Sequence, residues 1–109
     1  MELVVYSDSP QEVVEELNKG IKNKSIPTWE KNAAGDYTFL GEEKGPLYKK
    51  AWIHVEKPEE DDKIRLSLKG IKSDKSLKRE AIHGAYFGRF IEMLIANFDQ
   101  QIEKIRVSL

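Results

Sequence analysis

Hydrophobic and polar positions change period several times along the chain, and each change predicts an element. Leu3 to Tyr6 is a β-branched and aromatic run that predicts a first strand, and Ser7-Asp8-Ser9-Pro10 breaks it. A helix is expected to follow. Ser9 can cap it, Pro10 suits the first helical position, and Glu12 stands at capping-box distance from Ser9. Val13, Val14, Leu17 and Ile21 give it one apolar stripe, with Gly20 placed to end the helix or loosen its last turn.

Beyond Ile26-Pro27, the segments Thr28 to Lys31 and Asp36 to Leu40 read as a hairpin around the turn Asn32-Ala33-Ala34-Gly35. Gly41 to Pro46 reads as a charged loop. Lys49 to Glu56 predicts another strand, with Ala51, Ile53 and Val55 on one face and Trp52, His54 and Glu56 on the other. Lys63 to Ile71 alternates more cleanly: Ile64, Leu66 and Leu68 oppose Lys63, Arg65, Ser67 and Lys69, so one side of the sheet faces water.

From Leu77 the period becomes helical. Leu77, Ala81, Gly84, Gly88, Ile91, Ile95, Phe98, Ile102 and Ile105 step alternately by four and three, with Phe87, Phe90 and Leu94 widening the seam. A helix from Leu77 to about Lys104 is expected, roughly 40 Å long at 1.5 Å per residue. Its Gly84 and Gly88 are expected to let the helix approach the sheet closely. The fold class that follows is α+β, in the order β-α-β-β-β-β-α. It has a mostly antiparallel sheet with two helices packed on one face, in a single domain over residues 1–109.

Composition narrows the function classes. The chain has 18 Lys+Arg against 19 Asp+Glu, a net charge of −1, which argues against a dedicated nucleic-acid or membrane binder. It has no cysteine, which removes disulfides, thiol chemistry and Cys-ligated zinc together. Its first residues lack the basic and apolar regions of a signal peptide, and no apolar run approaches the length of a membrane helix. A cytoplasmic location is expected.

Catalytic signatures are missing from the sequence. There is no phosphate-binding glycine loop and no Gly-x-Ser-x-Gly elbow. His54 with Glu56, and Glu80 with His83, each offer two metal ligands where a tight site needs three or four, so neither a metal nor a cofactor is expected. The acidic run Glu56 to Asp62 lacks the spacing of a calcium loop and reads as a solvated turn. Lys69, Lys72, Lys75, Lys78 and Arg79 cluster where the last helix begins, and Lys72, Lys75, Lys78 and Arg79 there are candidate phosphate contacts.

Two resemblances accompany these residues. A helix, antiparallel strands, Gly45-Pro46-Leu47-Tyr48 before a strand, and lysines opening the final helix are similar to the double-stranded-RNA-binding domain, over Ser9 to about Leu94. That resemblance implies phosphate contact at Lys75, Lys78 and Arg79. Thr28-Trp29, Asp36-Tyr37-Thr38, Lys50-Ala51-Trp52, His83-Gly84 and Gly88-Arg89-Phe90-Ile91-Glu92-Met93-Leu94 resemble small bacterial proteins of uncharacterised function, which implies a bacterial source and no activity.

The leading expectation is a non-enzymatic interaction module that binds a protein partner or a second copy of itself. The surfaces foreseen are the exposed sheet face and the long final helix, with Trp52, His54, His83 and Arg89 as candidate binding residues. Phosphate recognition at the basic cluster and a small enzyme using His54 or His83 are the alternatives. Arg89 also stands three residues before Glu92, the spacing of a helical ion pair.

Overall fold

The computed structural model describes residues 1–41, 45–57 and 59–108. Glu42 to Lys44 of the expected charged loop, and Pro58 of the acidic turn, lie outside the described residues. Among the described residues the chain forms β1 (Glu2–Tyr6), α1 (Pro10–Lys22), β2 (Trp29–Lys31), β3 (Tyr37–Phe39), β4 (Trp52–Val55), β5 (Lys63–Lys69), α2 (Arg79–Phe98) and β6 (Lys104–Ser108). The strands make one sheet in the order β2-β3-β4-β5-β1-β6, with every neighbouring pair antiparallel.

Strand alternation sends Leu3 and Val5 of β1, Ile53 of β4 and Ile64 and Leu66 of β5 to one face, where Val13 and Leu17 of α1 and Ile82, Tyr86, Phe87, Phe90, Leu94 and Phe98 of α2 meet them in a single core. Both helices therefore cover the same face. Trp29, Tyr37 and Phe39 extend this core as an aromatic cluster: the Trp29 ring meets those of Phe39 and Phe90 edge-on, each at 5.2 Å between centroids.

Local chemistry fixes the connections. Ser9 is the N-cap of α1, yet its side chain makes no capping bond. The buried Ser7 hydroxyl instead accepts the Ser9 amide proton at 3.0 Å, so the expected capping box does not form. Gly20 does not end α1, which runs on to Lys22. A Cβ there would stand 2.6 Å from Ile26 Cδ1, so the missing side chain makes room for Ile26 to fold back onto the helix. In the β2–β3 turn, Asn32 Oδ1 accepts the Asp36 amide proton at 2.9 Å and Gly35 takes a φ of +88°.

The C-terminal expectation is overturned in two respects. Helix α2 ends at Phe98, about 30 Å long, and residues after it turn back to add β6 against β1, with Val5 opposite Ile105 and Leu3 opposite Val107. Lys104, Ile105, Arg106 and Val107 alternate with a period of two, and the three–four spacing through Ile102 and Ile105 fits that stretch only by coincidence. The helix is also rotated from the expected seam: Phe87, Phe90, Leu94 and Phe98 are buried as expected, but the small residues of the seam are not. Ile82, Tyr86, Phe87, Phe90, Met93, Leu94 and Phe98 are its buried residues, whereas Ala81, Gly84, Gly88 and Ile95 are exposed.

Candidate functional site

The open face of the sheet carries two of the expected residues. Trp52 and His54 project from β4 beside Lys69 and Ser67 of β5, opposite in direction to the fully buried Ile53. His54 has a partner that local sequence did not reveal: its Nδ1 lies 2.7 Å from Asp36 Oδ1, the residue just before β3. With a carboxylate at Nδ1, that nitrogen donates and Nε2 is left as the acceptor, the orientation a general base needs. Among the described residues no nucleophile meets it. Ser67, directly across the ladder, donates its hydroxyl proton to Glu56.

His83 and Arg89 sit on α2, across the sheet from that pair, so the four residues do not assemble. The His83 ring meets Phe87 edge-on at 5.3 Å between centroids, and its Nε2 is buried and has no hydrogen-bond partner among the described residues. Burial first, then the Met1 α-ammonium and the Arg79 guanidinium, hold its pKa below the usual imidazole value. Arg89 Nη1 donates to Glu92 Oε1 at 3.1 Å, the exposed helical pair its spacing predicts. Among the described residues no three His, Asp or Glu side chains are grouped to hold a metal ion.

Lys72, Lys75, Lys78 and Arg79 are exposed along the loop into α2 and its first turn, while Lys69 belongs to β5. A carboxylate organises this loop. Asp74 Oδ1 accepts the Ser76 hydroxyl proton at 2.8 Å and the Leu77 and Ser76 amide protons at 2.8 and 2.9 Å, and Oδ2 lies 3.5 Å from Lys50 Nζ. These bonds, the Ser76 hydroxyl foremost, hold the Asp74 carboxyl below its usual range. The chain thus supplies its own anion beside Lys50 at this loop.

Two charged features arise only from topology. Register places Tyr6 between Lys63 and Lys104, and their ammonium groups lie 5.5 and 4.6 Å from its ring centroid, with the Arg106 guanidinium at 5.9 Å. Beside the acidic turn, an open groove of about 800 Å³ separates the start of α1 from the β4–β5 connection, lined by carboxylates that include Asp8, Glu12, Glu15, Glu56 and Asp61. Arg65, which also lines it, is tied to Glu60 at 2.7 Å and Glu2 at 3.1 Å.

The surface that sequence assigned to the core is the outer face of α2. Ala81, Gly84, Gly88, Ile91 and Ile95 lie along it at alternating spacings of three and four, with Ile91 half-buried and Ile95 54% exposed. A Cβ added at Gly84 or Gly88 would meet nothing within 4 Å among the described residues. Each glycine costs a helix about 1 kcal/mol relative to alanine, and no contact among the described residues requires it there. Among the described residues no helix is long and apolar enough to cross a membrane. A scan against protein-family models and searches of curated proteins and of solved structures found no match to this chain.

Proposed function

We propose that this chain is a non-enzymatic protein-interaction module whose binding surface is the outer face of α2, offered to an apolar helix of a protein partner. Ile95 carries the reading: a large aliphatic side chain, 54% exposed, at the end of an apolar line whose two glycines face open space. An isolated surface aliphatic is ordinary, but Ile95 stands in line, at heptad spacing, with half-buried Ile91, two glycines and Ala81, a surface a second helix can approach closely. The separation of His54 from His83, and the engagement of the Ser67 hydroxyl with Glu56 beside the Asp36–His54 pair, favour binding over catalysis. The cysteine-free composition suits the reducing cytoplasm.

The test is a photoreactive amino acid placed at Ile95 in cells of the source organism, with the same residue at Lys19 on α1 as the control. The expected result is a discrete protein adduct from position 95, lost when Ile91 is changed to Asp. Equal or absent labelling at the two positions would overturn the proposal.

A further inference from the structure

We infer that the occupant of this face is a second copy of the chain, docked antiparallel about a two-fold axis at Gly88; the inference rests on the reading that the outer face of α2 binds protein. The first argument is shape. The amino-terminal half of the row is small (Ala81, Gly84, Gly88) and the carboxy-terminal half is large (Ile91, Ile95). With Gly88 opposite Gly88, an antiparallel copy sets Ile95 over Ala81 and Ile91 beside Ala85 and Gly84, so each bulky residue meets a hollow. A parallel copy would set isoleucine against isoleucine and leave the glycines facing a void. The row is complementary to itself in one direction only, as an isologous interface requires.

Charge selects the same direction. Lys78 and Arg79 stand where α2 begins, at the positive end of its dipole. Asp99 caps the other end, where the last turn holds no basic residue. Among the described residues none of these three enters an ion pair within the chain. Antiparallel docking brings Lys78 of each copy within a turn of Asp99 of the other and opposes the two dipoles. Parallel docking would place Lys78 near its own copy and Asp99 near its own. The alternating three–four spacing keeps the row straight along two helices crossing at about 20°, and the two glycines allow the close approach that their cost to the isolated helix leaves unexplained.

The chain has no cysteine, so single cysteines report the geometry directly. In the otherwise unmodified protein, Gly88→Cys is expected to oxidise to a symmetric disulfide dimer. Ile95→Cys alone is not, because its copy would lie about 21 Å away along the pair, far beyond the roughly 7 Å that a disulfide spans between Cα atoms. Ala81→Cys with Ile95→Cys is expected to cross-link again. Light scattering on the unmodified chain should give a dimer mass, and Ile95→Asp, at an already exposed position, a folded monomer. A strict monomer up to millimolar concentration, or cross-linking in the Ile95→Cys variant and none in the Gly88→Cys variant, would overturn the inference. Photo-adducts from position 95 with a different protein, together with a monomeric chain, would sink self-pairing and keep the interaction reading. No adduct of any kind would sink both.

Discussion

The Tyr86 hydroxyl accepts the Lys50 amide proton at 2.8 Å and donates its own to Leu47 O at 2.7 Å, bridging thirty-six residues of sequence from α2 to the segment that leads into β4. Tyr86 is fully buried, so water cannot replace it. The Tyr86→Phe variant leaves the Lys50 amide and the Leu47 carbonyl without this partner, and is expected to lose about 1–3 kcal/mol in urea unfolding. Amide exchange at Lys50 should accelerate with it, which a general loss of stability would not confine to that position.

Glycine substitutions should split by sign. Gly20→Ala drives a Cβ to 2.6 Å from Ile26 Cδ1 and 2.9 Å from its Cγ1, and is expected to destabilise by up to about 2 kcal/mol, an overpacking cost of about 1–3 kcal/mol less the roughly 1 kcal/mol that alanine adds to the helix. Gly84→Ala meets no atom of the described residues within 4 Å and is expected to stabilise the isolated chain by about 1 kcal/mol at low protein concentration. Thermal unfolding of both variants, each at several concentrations, separates folding of the chain from any association.

The two-residue alternation of β4 and β5 was fully legible in the sequence, since Ile53, Ile64 and Leu66 on the buried face and Trp52, His54 and Arg65 on the open one fix register without help from the rest of the chain. The helical seam was legible only in part: Phe87, Phe90, Leu94 and Phe98 do face the core, but Ala81, Gly84, Gly88 and Ile95 do not. Position 90 and position 91 are both apolar, and a helix with aliphatic or small residues nearly all round supports two stripes, so the choice between them came from the sheet. Pairing of β6 with β1, and of His54 with Asp36, depends on contacts distant in sequence, and local period carries no trace of either.

Alkaline pH should weaken the fold through Tyr37. Its hydroxyl donates to Asn18 Oδ1 at 2.6 Å, joining β3 to α1, and burial, with a smaller contribution from Asp36, pushes its pKa up to about 12. The unfolded chain releases this proton near pH 10 and the folded chain holds it. The stability contribution is therefore complete below pH 10 and is lost as pH rises towards 12, by an amount of order 2–3 kcal/mol. In Tyr37→Phe the slope from this group should vanish, which unfolding midpoints measured between pH 9 and pH 12 would reveal.

Acid should act through His83. Its pKa lies below the usual value, because burial, the Met1 α-ammonium and Arg79 all disfavour the imidazolium. The unfolded state then takes up a proton before the folded state does, and stability declines as pH falls below about 6.5. An NMR titration of the His83 ring should show a midpoint under that of a free imidazole, and Arg79→Ala should move it upward. A His83 midpoint at or above the free value would remove the residue as a source of acid sensitivity.

Strand β6 is the element whose loss should matter most for behaviour in solution. It supplies the second edge of β1, whose Leu3, Val4 and Val5 are all fully buried, and Val4 sits in register between Arg65 and Arg106. Those two side chains carry apolar stems long enough to shelter it on an otherwise open face. A chain ending at Glu103 would expose a bare strand edge reading Leu-Val-Val-Tyr, an unprotected template for pairing with other chains. The expected outcome is a fall in the urea midpoint together with concentration-dependent aggregation. Arg106→Ala in the full chain should uncover Val4 and lower stability without aggregation. If truncation at Glu103 left both the midpoint and the scattering unchanged, β6 would be an appendage and the core of this fold would close at β1.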